Sequence, residues 1–169
     1  MPLGYAFQIK EGQDATKIAK AKGVALPISN KHSYEVCKYL RHKLLPVAMK
    51  HLEEVIILKR AVPYGRFDGD LAHKKTMAAG RYPVKTAEGI LELLKSVEAN
   101  ARFKGLNTHQ LEIIHLHAHQ ASRPFRYGRQ TRRKMKRTHI EIVVQEKAAL
   151  KQEVATSKKK ETKEAHKTH

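Results

Sequence analysis

Three histidines stand two apart in the stretch "IHLHAHQ", at His115, His117 and His119. In an extended chain residues i, i+2 and i+4 point to one side, so the three imidazoles share a face. Zinc could use that geometry, since three nitrogen ligands with an open fourth position make a catalytic site. Such a site also needs a carboxylate base and acceptors for the free ring N–H groups. The nearest acid in sequence is Glu112, which the same alternation sends to the opposite face. The residues that follow carry dense positive charge, which disfavours a dication. The rings are therefore read as the wet side of a sheet, hydrogen-bonding or stacking against RNA, with no metal expected. A solvated polar face is the plainer alternative, and a zinc-dependent hydrolase the rival of a different class.

No other residues have catalytic spacing. The chain holds no GxxxxGK, CxxC or HExxH, and no paired carboxylates in an apolar setting. Neither an enzyme nor a cofactor is expected. The single cysteine, Cys37, lies between Val36 and Leu40 on a helical stripe and reads as a packed thiol in a reducing compartment.

The stronger chemical signal is charge. From Ile113 to Ile140 there is no acidic residue, while Arg123, Arg126, Arg129, Arg132, Arg133, Lys134, Lys136 and Arg137 crowd together. Over all 169 residues, 34 Lys+Arg against 16 Asp+Glu give a net charge of +18. Released counterions make each phosphate contact of such a chain favourable, so a polyanion is the expected partner. No secretory h-region opens the chain, and the aliphatic run "VIIL" is far too short to span a bilayer. A soluble, cytosolic protein with no membrane insertion is expected.

Elements must position these residues. The opening stretch through "ATKIAKAKG" reads as a basic, loosely ordered arm, taken as residues 1–21. "GVALPIS" reads as a short edge or bulged strand because of Pro27. Val36, Cys37, Leu40 and Leu44 predict one helix, with Asn30 or Ser33 as N-cap. Pro46 opens a second, with Met49, Leu52, Val55 and Ile56 on its buried face. Residues 61–83 show no sustained period and read as a loop excursion. Its Arg66, His73, Lys74, Lys75 and Arg81 would lie on a polyanion. Pro83 opens a third helix along Ala87, Ile90, Leu91, Leu94, Val97 and Ala101, ended by Gly105.

Two strands follow. "LEIIHLHAH" places Ile114, Leu116 and Ala118 on one face, and "HIEIVVQ" does the same with Ile140, Ile142 and Val144. The basic run between them becomes the end of a hairpin over 111–145, turning near Tyr127 to Arg129 where Gly128 supplies a positive φ. Its arms are unequal about Gly128, so a bulge or widened loop is expected in the returning arm, within Gln130 to Lys136. Arginines on phosphates and the rings of Phe125 and Tyr127 on bases would embed this finger in folded RNA. Residues 148–169 form a Lys/Glu-rich tail with too little apolar surface to order itself.

Several motifs together resemble a known family: "NKHSYEVCKYLRHK", "HLEEVI", "AVPY", "GRYPVKTAEGILELLKSVEANARFKGL", "IIHLHAH", "PFRYGR" and "THIEIVV". It is the universal large-subunit ribosomal protein family that sends a long β-hairpin into the peptide exit tunnel, numbered twenty-two in bacterial and seventeen in eukaryotic naming. The "GRYP" element resembles its archaeal and eukaryotic branch. The resemblance implies an α+β fold, three helices packed on a small antiparallel sheet with a projecting basic hairpin, over an rRNA-binding domain at 22–147. It implies Pro124, Phe125, Tyr127, Gly128 and Arg129 at the hairpin tip and Arg132, Arg133 and Lys134 on the returning arm. Its partners would be large-subunit rRNA, neighbouring ribosomal proteins and the nascent peptide at the tunnel wall, in the cytoplasm. Only Gln120, Ala121, Ser122 and Arg123 separate "HLHAH" from Pro124, fewer than the family's usual stretch, which implies a shallower tip. The competing binding reading is a free-standing RNA chaperone.

Overall fold

The computed structural model describes residues 4–9 and 15–147; the tail read at 148–169 lies outside them. In chain order the elements are β1 (Ile18–Leu26), α1 (Asn30–Leu40), α2 (Leu45–Ile56), β2 (Val62–Pro63), β3 (His73–Lys74), β4 (Met77–Arg81), α3 (Val84–Phe103), β5 (Leu111–Gln120) and β6 (Thr138–Glu146). β1, β6 and β5 form an antiparallel sheet in that spatial order, so the last strand in sequence is the central one. Across it Ala19, Val144 and Ile113 stand in one row, and Ala21, Ile142 and Leu116 in the next. These side chains meet the buried stripes of the helices in one core, giving the expected α+β class.

β1 starts at Ile18, inside the stretch read as a loosely ordered arm. The lysines there dominated the composition, but Lys20 and Lys22 alternate with the buried Ala19 and Ala21. Alanines give a weak apolar signal on a strand, and pairing with β6 supplies what propensity does not. The expected edge position and bulge are both present: register shifts between Gly23 and Leu26, where Ala25 has φ of 53°.

β5 also departs from simple alternation. Ile113 faces Val144 but His115 faces Val143, so Ile114 is an extra residue in the strand. Leu111 and Ile113 are buried before the bulge, Leu116 and Ala118 after it. Ile114 therefore does not share the core face with Leu116 as expected; the bulge switches the phase of burial from odd to even.

The helices follow their sequence signals with local differences. α1 is N-capped by Ser29, not by Asn30 or Ser33, and no side chain caps it. α2 buries Leu45, Ala48, Leu52 and Val55, while Met49 and Ile56 are partly buried against the core. α3 ends as expected, with Gly105 at φ of 73°. Its N–H reaches Arg102 O at 2.9 Å and the Leu106 N–H reaches Ala101 O at 3.0 Å, which satisfies the last carbonyls. Cys37 is buried, and burial pushes its thiol up to about 12, which makes it unreactive.

The excursion at 61–83 is not a plain loop. β2, β4 and β3 make a second small antiparallel sheet in that order. Its ladders pair only two residues each, too few to print a period on the sequence.

Candidate nucleic-acid interface

β5 and β6 pair up to Gln120 and Thr138, and the chain then leaves the ladder. It pairs again at Phe125 and Lys134, with the Arg126 N–H donating to Arg133 O at 2.7 Å. Four residues of the outgoing arm thus match three of the returning one. The irregularity sits at Ala121 to Pro124, not in Gln130 to Lys136 as expected. Pro124 has no N–H to give a ladder and accepts through its carbonyl from the Met135 N–H at 2.9 Å. Gly128 has the expected positive φ, 75°, and opens a short 3-10 turn that runs to Gln130, so the turn lies where expected, near Tyr127 to Arg129, and extends one residue further.

All of Arg123, Arg126, Arg129, Arg132, Arg133, Lys134 and Lys136 are exposed, and Arg137 half-buried. None forms an ion pair with a described carboxylate. Tyr127 is 87% exposed and Phe125 60%, with Lys134 Nζ 5.0 Å from the Phe125 ring centre. Exposed rings set among cations that have no described acidic partner form a surface suited to stacked bases and phosphates.

The segment after α2 is tied to α1 by one buried carboxylate. Glu35, 1% exposed, accepts from the backbone N–H groups of Gly65, Arg66 and Phe67 at 3.3, 2.9 and 3.2 Å. Three such bonds hold a charge that would otherwise be costly to bury. The Arg66 guanidinium then lies 5.3 Å from the Tyr34 ring centre. Arg66, His73, Lys75 and Arg81 are exposed and Lys74 is half-buried beside Tyr82.

Three parts of the chain converge on Lys136, which lines three adjoining cavities, the largest of about 650 Å³. Ser29 and His32 at the start of α1, Pro83 and Lys85 at the start of α3, and Arg126 and Arg133 share that largest groove. Burial and the charges of Arg81, Lys136 and Lys31 push the His32 imidazole below its ordinary value, a sign of dense positive potential. Lys31 and Lys85, not singled out from the sequence, also line these cavities. Each sits in the first turn of a helix with no acid there, where the macrodipole favours the opposite charge.

The histidine face differs most from expectation. His117 stacks on His119 with ring centres 4.5 Å apart, and on His115 at 6.0 Å. Parallel rings do not converge their nitrogens, and no group of three or more His, Cys, Asp or Glu among the described residues could hold a metal ion. The face is also not open along its length. Residues 4–9 cross it: Phe7 packs on His115 at 5.2 Å, and the Ala6 N–H donates to Glu141 Oε2 at 2.8 Å. Glu141 is 3% exposed and pairs with Lys22 at 2.8 Å. Burial alone would raise its carboxyl, but Lys22 and the Ala6 N–H together hold it below the usual carboxylate range. Burial, then the neighbouring His117, pushes His115 down; burial, then His119, does the same to His117. Among the described residues no helix is long and apolar enough to cross a membrane.

Comparison with known proteins agrees with these features. A model of the family described as ribosomal protein L22p/L17e matches residues 21–145. A protein named large ribosomal subunit protein uL22 from Archaeoglobus fulgidus is 38% identical over 153 residues, covering 86% of this chain and 99% of that protein. Its namesake in Ignicoccus hospitalis is 40% identical, covering 84% of this chain and 96% of its own length. That of Methanococcoides burtonii is 42% identical over 139 residues, or 79% and 92%.

Proposed function

The chain belongs to the ribosomal protein L22p/L17e family, and from that membership we propose that it binds large-subunit rRNA and extends its β5–β6 connection toward the wall of the peptide exit tunnel. It is a structural constituent of the large ribosomal subunit and not an enzyme. The observation that carries the RNA reading is the run of exposed cations from Arg123 to Lys136, without a described acidic partner. A folded protein gains nothing from holding like charges together on a segment that has left its core. RNA phosphates supply the missing counter-charge, and Phe125 and Tyr127 stack on bases. Lys31, Lys85 and Arg81 extend the same surface across the groove at Lys136, and Arg66, His73, Lys74 and Lys75 continue it along the second sheet. Of the stacked rings, His117 and His119 lie at the end of β5 nearest the connection and would meet RNA before His115, which Phe7 covers. The nascent peptide would pass the tip, and neighbouring ribosomal proteins would share the rRNA bed.

Replacing Arg132, Arg133 and Lys134 with Gln tests this. Binding to a large-subunit rRNA fragment should weaken, and the slope of log K against log salt should fall by about 0.7 to 0.9 per lost phosphate contact. An unchanged slope would falsify the proposal.

A further inference from the structure

Lys43, His51 and Arg60 meet beside α2, and none of them belongs to the surfaces assigned above. Lys43 Nζ lies 3.3 Å from His51 Nδ1, and Arg60 Nη1 lies 3.1 Å from His51 Nε2. Lysine and arginine can only donate. A neutral imidazole accepts at one nitrogen and carries hydrogen on the other, and a protonated one accepts at neither. In every protonation state at least one of these contacts sets donor against donor. The cluster is short of an acceptor.

Among the described residues the acceptors beside it, Glu54 and the Tyr39 hydroxyl, both serve Arg60 and leave Lys43 and His51 facing each other without one. Glu54 is bonded to Arg60 at 2.5 Å, and Lys50 adds positive charge at His51. Tyr39, from α1, stacks on His51 with ring centres 5.6 Å apart, while its hydroxyl accepts from Arg60 at 3.3 Å. Lys43 Nζ stands 3.4 Å from the centre of the Tyr39 ring. On the far side of Lys43 and Tyr39 opens a cleft of about 460 Å³, whose other walls include Lys38, Tyr64 and Gly65.

We propose that Lys43, His51 and Arg60 form a phosphate-binding site. A phosphate presents several acceptor oxygens and a negative charge, so it can take hydrogen bonds from Lys43, Arg60 and a protonated His51 at once. Tyr39 holds the two cations apart and fixes the imidazole plane. The proposal rests on the RNA reading for the source of the phosphate: it belongs to an RNA strand whose next nucleotide enters the cleft beside Lys38.

The test follows the ring signals of His51 by NMR in the full chain, identified by their loss in His51→Gln. Inorganic phosphate and a large-subunit rRNA fragment are titrated separately. Both should raise the pH at which His51 protonates, by about one unit for the RNA. The rise should persist in Arg132→Gln/Arg133→Gln and vanish in Lys43→Gln/Arg60→Gln. His51 left unmoved by inorganic phosphate and by bound RNA alike would overturn this site while the proposed function stands. Movement with inorganic phosphate but not with bound RNA would overturn the RNA assignment.

Discussion

A carboxylate at 3% exposure keeps its charge only where donors surround it, and Glu141 has Lys22 and the Ala6 N–H. Glu141→Gln should lower stability by about 1–3 kcal/mol, read from the urea midpoint, because the pair is broken on one side. Residues 4–9 should then become the first site of proteolysis. The histidines beside it set a pH dependence. His115 and His117 titrate below their ordinary value of 6.5, so the unfolded chain binds protons there more readily than the folded one. Their contribution is fully present above 6.5 and is lost as pH falls through the lowered folded values. Stability should therefore drop as pH falls below about 6.5. Since His32 and His51 shift the same way, His115→Gln/His117→Gln should remove part of this drop and not all of it. An unaltered pH profile of the midpoint in that variant would refute the assignment.

Bulges and caps are where elements depart from their patterns. Ile114 is the extra residue in β5, and without it Ile113 and His115 would be adjacent, restoring strict alternation with Leu111, Ile113, Leu116 and Ala118 all inside. Deleting Ile114 should leave a cooperative two-state transition, whereas deleting Leu116 should abolish it by turning the rest of β5 inside out. Circular dichroism melts distinguish the two. The same reasoning explains what could be read in advance. α3 was legible because its apolar stripe is long and Gly105 stops it, and β6 because Ile140, Ile142 and Val144 alternate cleanly. β1 was missed in its first half because its inward residues are alanines. The second sheet was invisible because two-residue ladders carry no period. The strip crossing the histidines left no local signal, since Ala6 and Glu141 are 135 positions apart. The exposed cations of the β5–β6 connection were legible from charge alone. The cluster at His51 was not, since Lys43, His51 and Arg60 become neighbours only once α2 forms.

At the scale of the molecule, core and charge are separate. The residues from Arg123 to Lys134 contribute nothing to the core, so Arg132→Gln/Arg133→Gln/Lys134→Gln should melt no lower than the parent in the absence of RNA, and slightly higher as repulsion falls. A lower melting temperature would mean that the connection braces the fold. The order of the main sheet carries a further consequence, for synthesis. Strand β6 lies between β1 and β5 yet is made after both, so neither has its partner until residue 146 has left the ribosome that makes it. Every arginine and lysine of the connection is exposed to the cell before the domain can close around its core. A chain ending at residue 137 should show no cooperative unfolding. The newborn protein therefore passes through an interval in which it is adhesive to any nucleic acid and still without a fold, which makes shielding during translation a requirement of its topology.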